Sequence, residues 1–232
     1  MNGKIDFDSY ADSYDRALAE GLAVSGESRE YFAEGRVKWL ADCLCQIGFI
    51  PSLVVDYGCG TGSSSPLLLE LLRPKKVIGL DSSMRSIDVA RRHYGSERIR
   101  FSSVEEYEPT ETADLVYCNG VFHHIAPELR NSSLKFLHQT LRLGGLFSLW
   151  ENNPWNPGTQ YIMSRIPFDR DAIKLSPLET QSLVRSEGFS VLRTDFVFFF
   201  PRFLKFLRPT EKFISGVPLG AQYQVICQKP SE

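Results

Sequence analysis

The chain has 232 residues, of which 43% are apolar, and a formal net charge of -2 at pH 7. This length suits one domain that can bury most of its apolar surface, and the balanced charge argues against a nucleic-acid-binding protein. The five cysteines lack the spacing of a zinc or redox motif, so we expect reduced thiols and a cytoplasmic protein. The polar, acidic start is unlike a signal peptide, and no run of about 18 apolar residues exists that could span a membrane.

Two amphipathic segments precede the first strand. Apolar and aromatic residues recur at helical spacing within residues 6–19 and again within 27–47. Gly48 follows the second segment at the position where glycine commonly ends a helix. We therefore expect residues 1–48 to form a helical cap.

The stretch that follows, Val54-Val55-Asp56-Tyr57-Gly58-Cys59-Gly60-Thr61-Gly62-Ser63-Ser64-Ser65, reads as a strand, a tight turn and the start of a helix. Glycines at alternate positions allow positive φ angles and let a ligand approach the backbone closely. The N–H groups of the next helix then face the turn, where α/β sheets usually hold a nucleotide-like cofactor. The spacing is G-x-G-x-G and not the G-x-G-x-x-G of the dinucleotide fingerprint.

Strands and helices alternate from here to Trp150. Apolar runs bounded by turn residues predict strands, and longer runs with helical spacing predict helices. We expect strands at 53–57, 76–81, 99–102, 114–119 and 146–150, and helices at 66–72, 84–94 and 128–143. This order predicts an α/β fold with a doubly wound, mainly parallel sheet and helices on both faces.

The last third of the chain has a different pattern. Residues 151–171 show no clear period, which indicates a long loop or lid. Ser176, Pro177 and Glu179 form the signature of a helix start. Strand-like runs at 189–200 and 223–227 have no full helical crossover between them, which predicts an antiparallel pair at the sheet edge.

The segment Asp56-Tyr57-Gly58-Cys59-Gly60-Thr61-Gly62 resembles motif I of class I S-adenosylmethionine-dependent methyltransferases of the small-molecule type, and the resemblance covers roughly residues 6–149. It implies a seven-stranded sheet that is parallel except for one reversed strand near the end. It also implies a single methyltransferase domain over 1–232, with 151–175 and 201–219 on the acceptor side. S-adenosylmethionine is then the expected cofactor, and the motif residues expected to bind it are Asp56, Gly58, Cys59, Gly60 and Gly62.

Asp81 ends the predicted second strand. A carboxylate there can accept both hydroxyls of a ribose, and the resemblance gives Asp81 this role, with Ser82 beside it. The alternative is an ordinary helix N-cap. Met84 is expected to pack on the adenine, with core packing as its alternative.

Ser103 and Val104 follow the third strand, where relatives often carry an aspartate and a small apolar residue beside the adenine. A serine can still accept the adenine amino group, but more weakly than a carboxylate. Asn119 follows the fourth strand, where the resemblance implies a contact with the cofactor's amino group.

His123 and His124 come next along the chain. Either imidazole could act as a general base for an acceptor hydroxyl, since imidazole titrates near neutral pH. The alternative is structural: one ring packs under the sheet and the other bonds the backbone. Adjacent histidines point apart and have no completing ligand, so we expect no metal site.

Tyr14 resembles a tyrosine that closes over the cofactor in several relatives, and Arg36 lies where some relatives bind the methionine carboxylate. A surface or core position is the alternative for each. Glu151, Asn152 and Trp155 follow the fifth strand and are candidates for holding the acceptor, because such sheets bind ligands at their C-terminal edge.

Aromatic residues alternate with cations and no acids in 196–209. One interpretation is an edge strand followed by a helix buried against the sheet. The other is a surface for a lipid-linked acceptor, a membrane face or a second copy of the chain.

These features predict methyl transfer by in-line displacement to a small-molecule or lipid-like acceptor. Two alternatives remain at this stage: a non-catalytic, methyltransferase-like binding protein, and a nicotinamide-dependent oxidoreductase.

Overall fold

The computed structural model describes residues 26–166 and 172–231, and the helix expected within 6–19 lies outside them. A seven-stranded sheet forms the centre of the molecule. The strands are β1 Leu53–Tyr57, β2 Lys76–Asp81, β3 Ile99–Ser103, β4 Ala113–Asn119, β5 Leu141–Asn152, β6 Ser190–Val197 and β7 Gln222–Gln228. The α-helices are α1 Arg29–Gln46, α2 Ser64–Leu72, α3 Met84–Tyr94, α4 Pro127–Thr140, α5 Pro157–Arg165, α6 Pro177–Ser186 and α7 Glu211–Ile214, with 3₁₀ segments at Phe122–His124 and Arg202–Thr210.

The strand order across the sheet is β3-β2-β1-β4-β5-β7-β6. Neighbouring strands from β3 to β5 are parallel, and β7 is antiparallel to both β5 and β6. The order reverses between β1 and β4, which opens a crevice at the C-terminal ends of these two strands. The predicted fold class is confirmed, including the late antiparallel pair with β6 at the edge.

Two apolar layers hold the helices against the sheet. On one face, α1, α2 and α3 contribute residues such as Leu40, Leu68 and Ile87 to a core cluster. On the other face, α4 and α6 contribute residues such as Leu134 and Val184. The α1 helix therefore packs on one face of the sheet, with its inner side close to the ends of the central strands.

The helix expected at 128–143 ends at Thr140, and β5 already begins at Leu141. The residue that ends the helix at this point, Lys229, lies far away in sequence. The Lys229 ammonium donates to the carbonyls of His138 and Leu141, both at 2.9 Å, and so satisfies the C-terminal end of α4. Gly144 takes a left-handed φ of 71° within the strand, and its N–H donates to the carbonyl of Lys229 at 2.9 Å. The Lys229 N–H in turn donates to the carbonyl of Gly145 at 2.9 Å.

The expectation of a loop over 151–171 is wrong for residues 157–165, which form α5. The Asn156 side chain accepts the Thr159 N–H at 2.9 Å, and Pro157 takes the first helical position. This is an ordinary N-terminal signature. The Thr159 hydroxyl also donates to the carbonyl of Ala221 at 2.8 Å, which fastens α5 to the start of β7.

The interpretation of 196–209 as an edge strand followed by a buried helix is half right. Phe196 and Val197 are buried in β6, but the chain leaves the sheet at Phe198, whose φ is 61°. Neither the 3₁₀ segment at 202–210 nor α7 buries any residue.

We expect Gly62→Ala to destabilise the protein by about 1–3 kcal/mol more than Gly48→Ala. Both glycines have positive φ, so both variants carry the left-handed penalty of about 1 kcal/mol. A Cβ at Gly62 would also lie 2.8 Å from Ala90 Cβ and from Phe101 Cζ, whereas a Cβ at Gly48 meets no atom within 4 Å. Urea unfolding of both variants measures the difference, and equal losses would contradict the packing that we describe.

Candidate functional site

The glycine turn after β1 is tied to the end of β2. The N–H groups of Gly58 and Cys59 both donate to the carbonyl of Leu80, at 2.7 and 3.0 Å. A Cβ at Gly58 would lie 2.2 Å from Val121 Cγ2, in the loop after β4. The turn is therefore compressed between two neighbouring segments, and only glycine fits there.

Gly60 is the exception within this turn. Its φ is 53°, and a Cβ built on it meets nothing within 4 Å. Its N–H donates to Asp81 Oδ2 at 2.8 Å. One side of the turn is thus packed against protein while the side at Gly60 faces open space, which is the arrangement that lets a ligand reach the backbone.

Asp81 lies half-buried at the C-terminal end of β2, beside this open space. Its Oδ1 accepts the N–H of Ser83 at 2.9 Å. Ser83 is itself the N-cap of α3 and accepts the Ser86 N–H at 3.1 Å. The alternative interpretation of Asp81 as the N-cap is therefore wrong.

The other predicted adenine-side residues surround Asp81. Ser82 is exposed, and Met84 is 41% exposed, so the core-packing alternative for Met84 does not hold. Ser103 is buried opposite Asp81 in the sheet register, and its hydroxyl accepts the Glu106 N–H at 3.1 Å. The Val104 N–H donates to the carbonyl of Asp81 at 3.1 Å.

Asp56 lies beneath the turn and is buried. The Ser65 hydroxyl donates to its Oδ2 at 2.7 Å. Burial raises the pKa of Asp56 to about 7, although the Ser65 hydrogen bond lowers it and the nearby Asp81 raises it further. Through this hydrogen bond the Asp56 side chain connects the end of β1 to the first turn of α2, across the glycine turn.

Two cysteines near the glycine turn and β4, Cys59 and Cys118, are packed inside the protein. The Cys59 side chain belongs to the core cluster under α1, and Cys118 is fully buried in the cluster on the opposite face. Burial raises the pKa of both thiols. Within the described residues, no group of His, Cys, Asp and Glu side chains is arranged to hold a metal ion.

A buried histidine–carboxylate pair holds the loop after β4. His123 Nδ1 lies 2.5 Å from Glu151 Oε2, and Glu151 Oε1 accepts the N–H of Phe122 at 2.9 Å. Both side chains are almost completely shielded from solvent. Glu151 thus positions the histidine loop and does not itself line the pocket described next.

A cavity of about 120 Å³ lies over the ends of β4 and β5. Its wall comes from α1, the loop after β4, the end of β5, α5 and the start of β7. No aspartate or glutamate lines it, and the residues that do are Arg29, Phe32, Arg36, Asn119, Gly120, His123, His124, Asn152, Thr159, Ile162, Met163, Ile166, Ala221 and Gln222.

Hydrogen-bond donors are in excess beneath α1. Arg36 is only 7% exposed; its Nη1 donates to Gln222 Oε1 at 3.0 Å, and its buried Nε has no acceptor among the described residues. Trp150 Nε1 is buried without an acceptor among the described residues, and the buried Tyr117 hydroxyl lies beside Arg36. Tyr117 pairs with Ser148, two residues before Trp150, so the two rings lie on one face of the sheet. Burial raises the pKa of Tyr117 to about 12, which leaves its hydroxyl a neutral donor.

The structure brings the predicted residues into two groups. Those around Gly60 and Asp81 meet at the open turn, while Arg36, Asn119, Asn152 and both histidines meet in the cavity. Trp155 does not line the cavity, and Tyr14 lies outside the described residues.

Sequence reasoning missed Arg29, Gln222 and the cavity residues of α5. The first two carry no local signal, because tertiary packing brings them to the site. The Asn156-Pro157 start and the spacing of Ile162, Met163 and Ile166 do predict a helix with one apolar side.

A G-x-G-x-G turn after β1, an aspartate at the end of β2 and a sheet with β7 reversed between β5 and β6 together define the class I methyltransferase fold. Residues 54–145 match the methyltransferase domain family. The matched residues thus form a methyltransferase domain with the class I fold, in agreement with the resemblance of motif I.

The chain is similar to two groups of curated relatives. It is 27% identical over 146 residues to a trans-aconitate 2-methyltransferase of Rhodopseudomonas palustris, which covers 62% of this chain and 56% of that protein. It is 26% identical over 155 residues to a malonyl-[acyl-carrier protein] O-methyltransferase of Ilyobacter polytropus, which covers 65% of this chain and 57% of that protein. The chain therefore spans about half the length of the curated relatives it matches.

Among solved structures, human N-acetylserotonin methyltransferase in complex with SAM superposes on this chain with a TM-score of 0.65. The alignment covers 99% of this chain and 60% of that one at 18% identity. This likeness supports the fold.

We expect Asp56→Asn to change how stability depends on pH. Because the folded protein raises the pKa of Asp56 to about 7, the aspartate favours folding below its unfolded pKa of about 3.9, and this contribution is lost as pH rises through about 7. The asparagine cannot ionise, so the stability of the variant relative to the wild type should increase by up to about 4 kcal/mol between pH 4 and pH 8.

Urea unfolding at a series of pH values measures this change. Asp88→Asn is the control, since Asp88 is exposed. A constant difference between Asp56→Asn and the wild type at every pH would contradict the buried position of Asp56.

Proposed function

We propose that the protein binds S-adenosylmethionine and transfers its methyl group to a small-molecule acceptor. The observation that carries this proposal is the open side of the glycine turn at Gly60, directly beside the Asp81 carboxylate. A cavity that could hold a second molecule lies over the neighbouring strands. The domain match at 54–145 supports the same conclusion.

The residues around the turn suit the parts of this cofactor. Asp81 can accept the two ribose hydroxyls, and the exposed Met84 is free to cover the adenine, with Ser103 and Val104 on its other side. Asn119 lies where the turn and the cavity approach each other through the loop after β4, and it suits the amino group of the methionine part. Asp56 supports the turn from beneath.

Bound S-adenosylmethionine would supply a methyl group on a positively charged sulfur that becomes neutral when the methyl leaves. Little new charge then needs stabilisation, so the protein's task is to align the acceptor and to exclude water. The cavity wall suits both tasks, because residues of α1 and α5 shield the cavity and the amides of Asn119 and Asn152 can offer orienting hydrogen bonds.

We further propose that the acceptor carries a carboxylate. Two arginines and two histidines line the cavity and no acid does, and Arg36 is buried beside donors that have no acceptor among the described residues. Desolvated donors of this kind favour a bound anion. The names of both curated relatives point the same way, since trans-aconitate and malonyl groups are carboxylates.

A carboxylate oxygen is already a nucleophile and needs no base. A hydroxyl acceptor is the second candidate, and the His123–Glu151 pair is the observation that favours it. Glu151 engages His123 Nδ1 while His123 contributes to the cavity wall, which is the arrangement of an oriented general base.

We expect Asp81→Asn to weaken S-adenosylmethionine binding at least tenfold, because the variant loses a charged acceptor for the ribose hydroxyls, worth about 1.5–3 kcal/mol. Isothermal titration calorimetry with the cofactor and with its demethylated product measures the change. Asp88→Asn, an exposed aspartate on α3, should bind as the wild type does. Absence of binding heat for the wild-type protein at about 1 mM ligand would overturn the proposed function and favour a binding protein of another kind.

We expect Arg36→Gln to raise the KM for a carboxylate acceptor at least tenfold while cofactor affinity changes less than about twofold. Transfer of labelled methyl from S-adenosylmethionine to a panel of small carboxylic acids, including trans-aconitate, measures the first quantity, and calorimetry measures the second. Arg92→Gln is the control, since Arg92 is exposed on α3. A loss of cofactor affinity instead would assign Arg36 to the methionine carboxylate, as the family resemblance implies.

A further inference from the structure

The segment after β6 presents large aromatic side chains to solvent. Phe203, Phe206 and Phe213 are 77%, 71% and 78% exposed. The exposed cations Arg202, Lys205 and Lys212 alternate with them. We call these six residues the aromatic–basic face. Three such exposed rings on one short segment are far more than the scattered apolar residues of an ordinary protein surface.

The opposite side of the same segment is anchored to the protein by charges. Arg208 donates to Glu27 at 2.7 Å and lies over the Tyr31 ring, 4.5 Å from its centroid. The Glu211 carboxylate accepts the N–H groups of Phe198 and Phe200 at 3.1 and 3.2 Å. The segment therefore directs the charges of Arg208 and Glu211 inward while its phenylalanines face solvent, unlike an ordinary surface helix, which buries its apolar side chains.

The backbone around this face is held in place on both sides. The Phe196 N–H donates to the carbonyl of Ser215 at 2.7 Å. The Asn153 side chain donates to the carbonyls of Pro218 and Gly220 at 3.2 and 2.8 Å. The exposed rings are thus carried by a backbone that hydrogen bonds hold in place.

The charge of this surface has one sign. Glu211 is the one acidic residue between 198 and 221, and it is directed inward to the backbone of Phe198 and Phe200. The cations of the aromatic–basic face are exposed. A partner for this face must accept both apolar rings and positive charge.

We propose that the aromatic–basic face docks on the surface of an anionic lipid bilayer. Phenylalanine rings insert at the boundary between headgroups and acyl chains, and neighbouring lysines are attracted to anionic headgroups by about 1 kcal/mol each. Such attachment is peripheral: among the described residues, no helix is long and apolar enough to cross a membrane.

Charge also distinguishes this occupant from a second copy of the chain. A symmetric dimer through this face would bring the same patch of both subunits together and so place Lys205 and Lys212 opposite like charges, which is unfavourable. An anionic bilayer reverses the sign of that interaction. The inference does not depend on the proposed methyl transfer, because none of the six residues lines the cavity or the glycine turn.

Co-sedimentation with vesicles tests the proposal. The full chain should bind vesicles of phosphatidylcholine and phosphatidylserine and should bind pure phosphatidylcholine at least about fivefold more weakly. Rising salt should weaken the binding. The variant Phe203→Ser/Phe206→Ser/Phe213→Ser and the variant Lys205→Gln/Lys212→Gln should each bind at least about fivefold less than the wild type.

The matched control replaces three exposed apolar residues elsewhere, as Ile50→Ser/Leu129→Ser/Leu178→Ser, and should bind as the wild type does. Failure of the wild type to bind anionic vesicles, or an equal loss in this control, would overturn the proposal. So would a fall of several degrees in the melting temperature of the triple phenylalanine variant, because the rings would then be covered within the folded chain. Sedimentation velocity adds a last criterion: a dimer that the triple phenylalanine variant abolishes would show that a second copy is the occupant.

Discussion

The site depends on the junction between the glycine turn and the end of β2. Three successive N–H groups of the turn, from Gly58 to Gly60, donate to Leu80 and Asp81. The junction can form because glycine also stands in β2: a Cβ at Gly79 would lie 2.4 Å from the Phe101 ring. Phe101 in turn packs on Gly62, so a single ring from β3 sets the spacing of both strands and of the turn. Within the turn, Gly58 and Gly62 pack against protein atoms, and only the side at Gly60 is open to a ligand.

The rest of the site is built outward from that junction in two directions. Toward β3, the groups around Asp81 form a polar edge suited to a nucleoside. Toward β5, the Glu151–His123 pair holds the histidine loop, and α1 and α5 line a cavity whose charged side chains are cationic. The two directions share the C-terminal edge of one sheet. A cofactor and an acceptor can therefore meet at the loop after β4 without either passing through the protein core.

Local sequence patterns predicted the parts of the fold that local interactions decide. The strands β1 and β2, the helix α3 and the Ser176–Glu179 capping box all match the structure, as do motif I and the reversed strand. The patterns failed where a distant partner decides. Lys229 ends α4 at Thr140, and α5 is fastened through Thr159 to Ala221. For the candidate site, the turn and Asp81 could be predicted from spacing, whereas Glu151 was misassigned to the acceptor because its pairing with His123 follows from packing.

The most direct test of the account is a crystal structure of the protein with the demethylated cofactor product. The account predicts that the ribose hydroxyls lie on Asp81, that the ligand covers Gly60 and that its sulfur faces the cavity lined by Arg36 and His123. A ligand bound elsewhere, or bound at the turn with its sulfur directed away from the cavity, would contradict it.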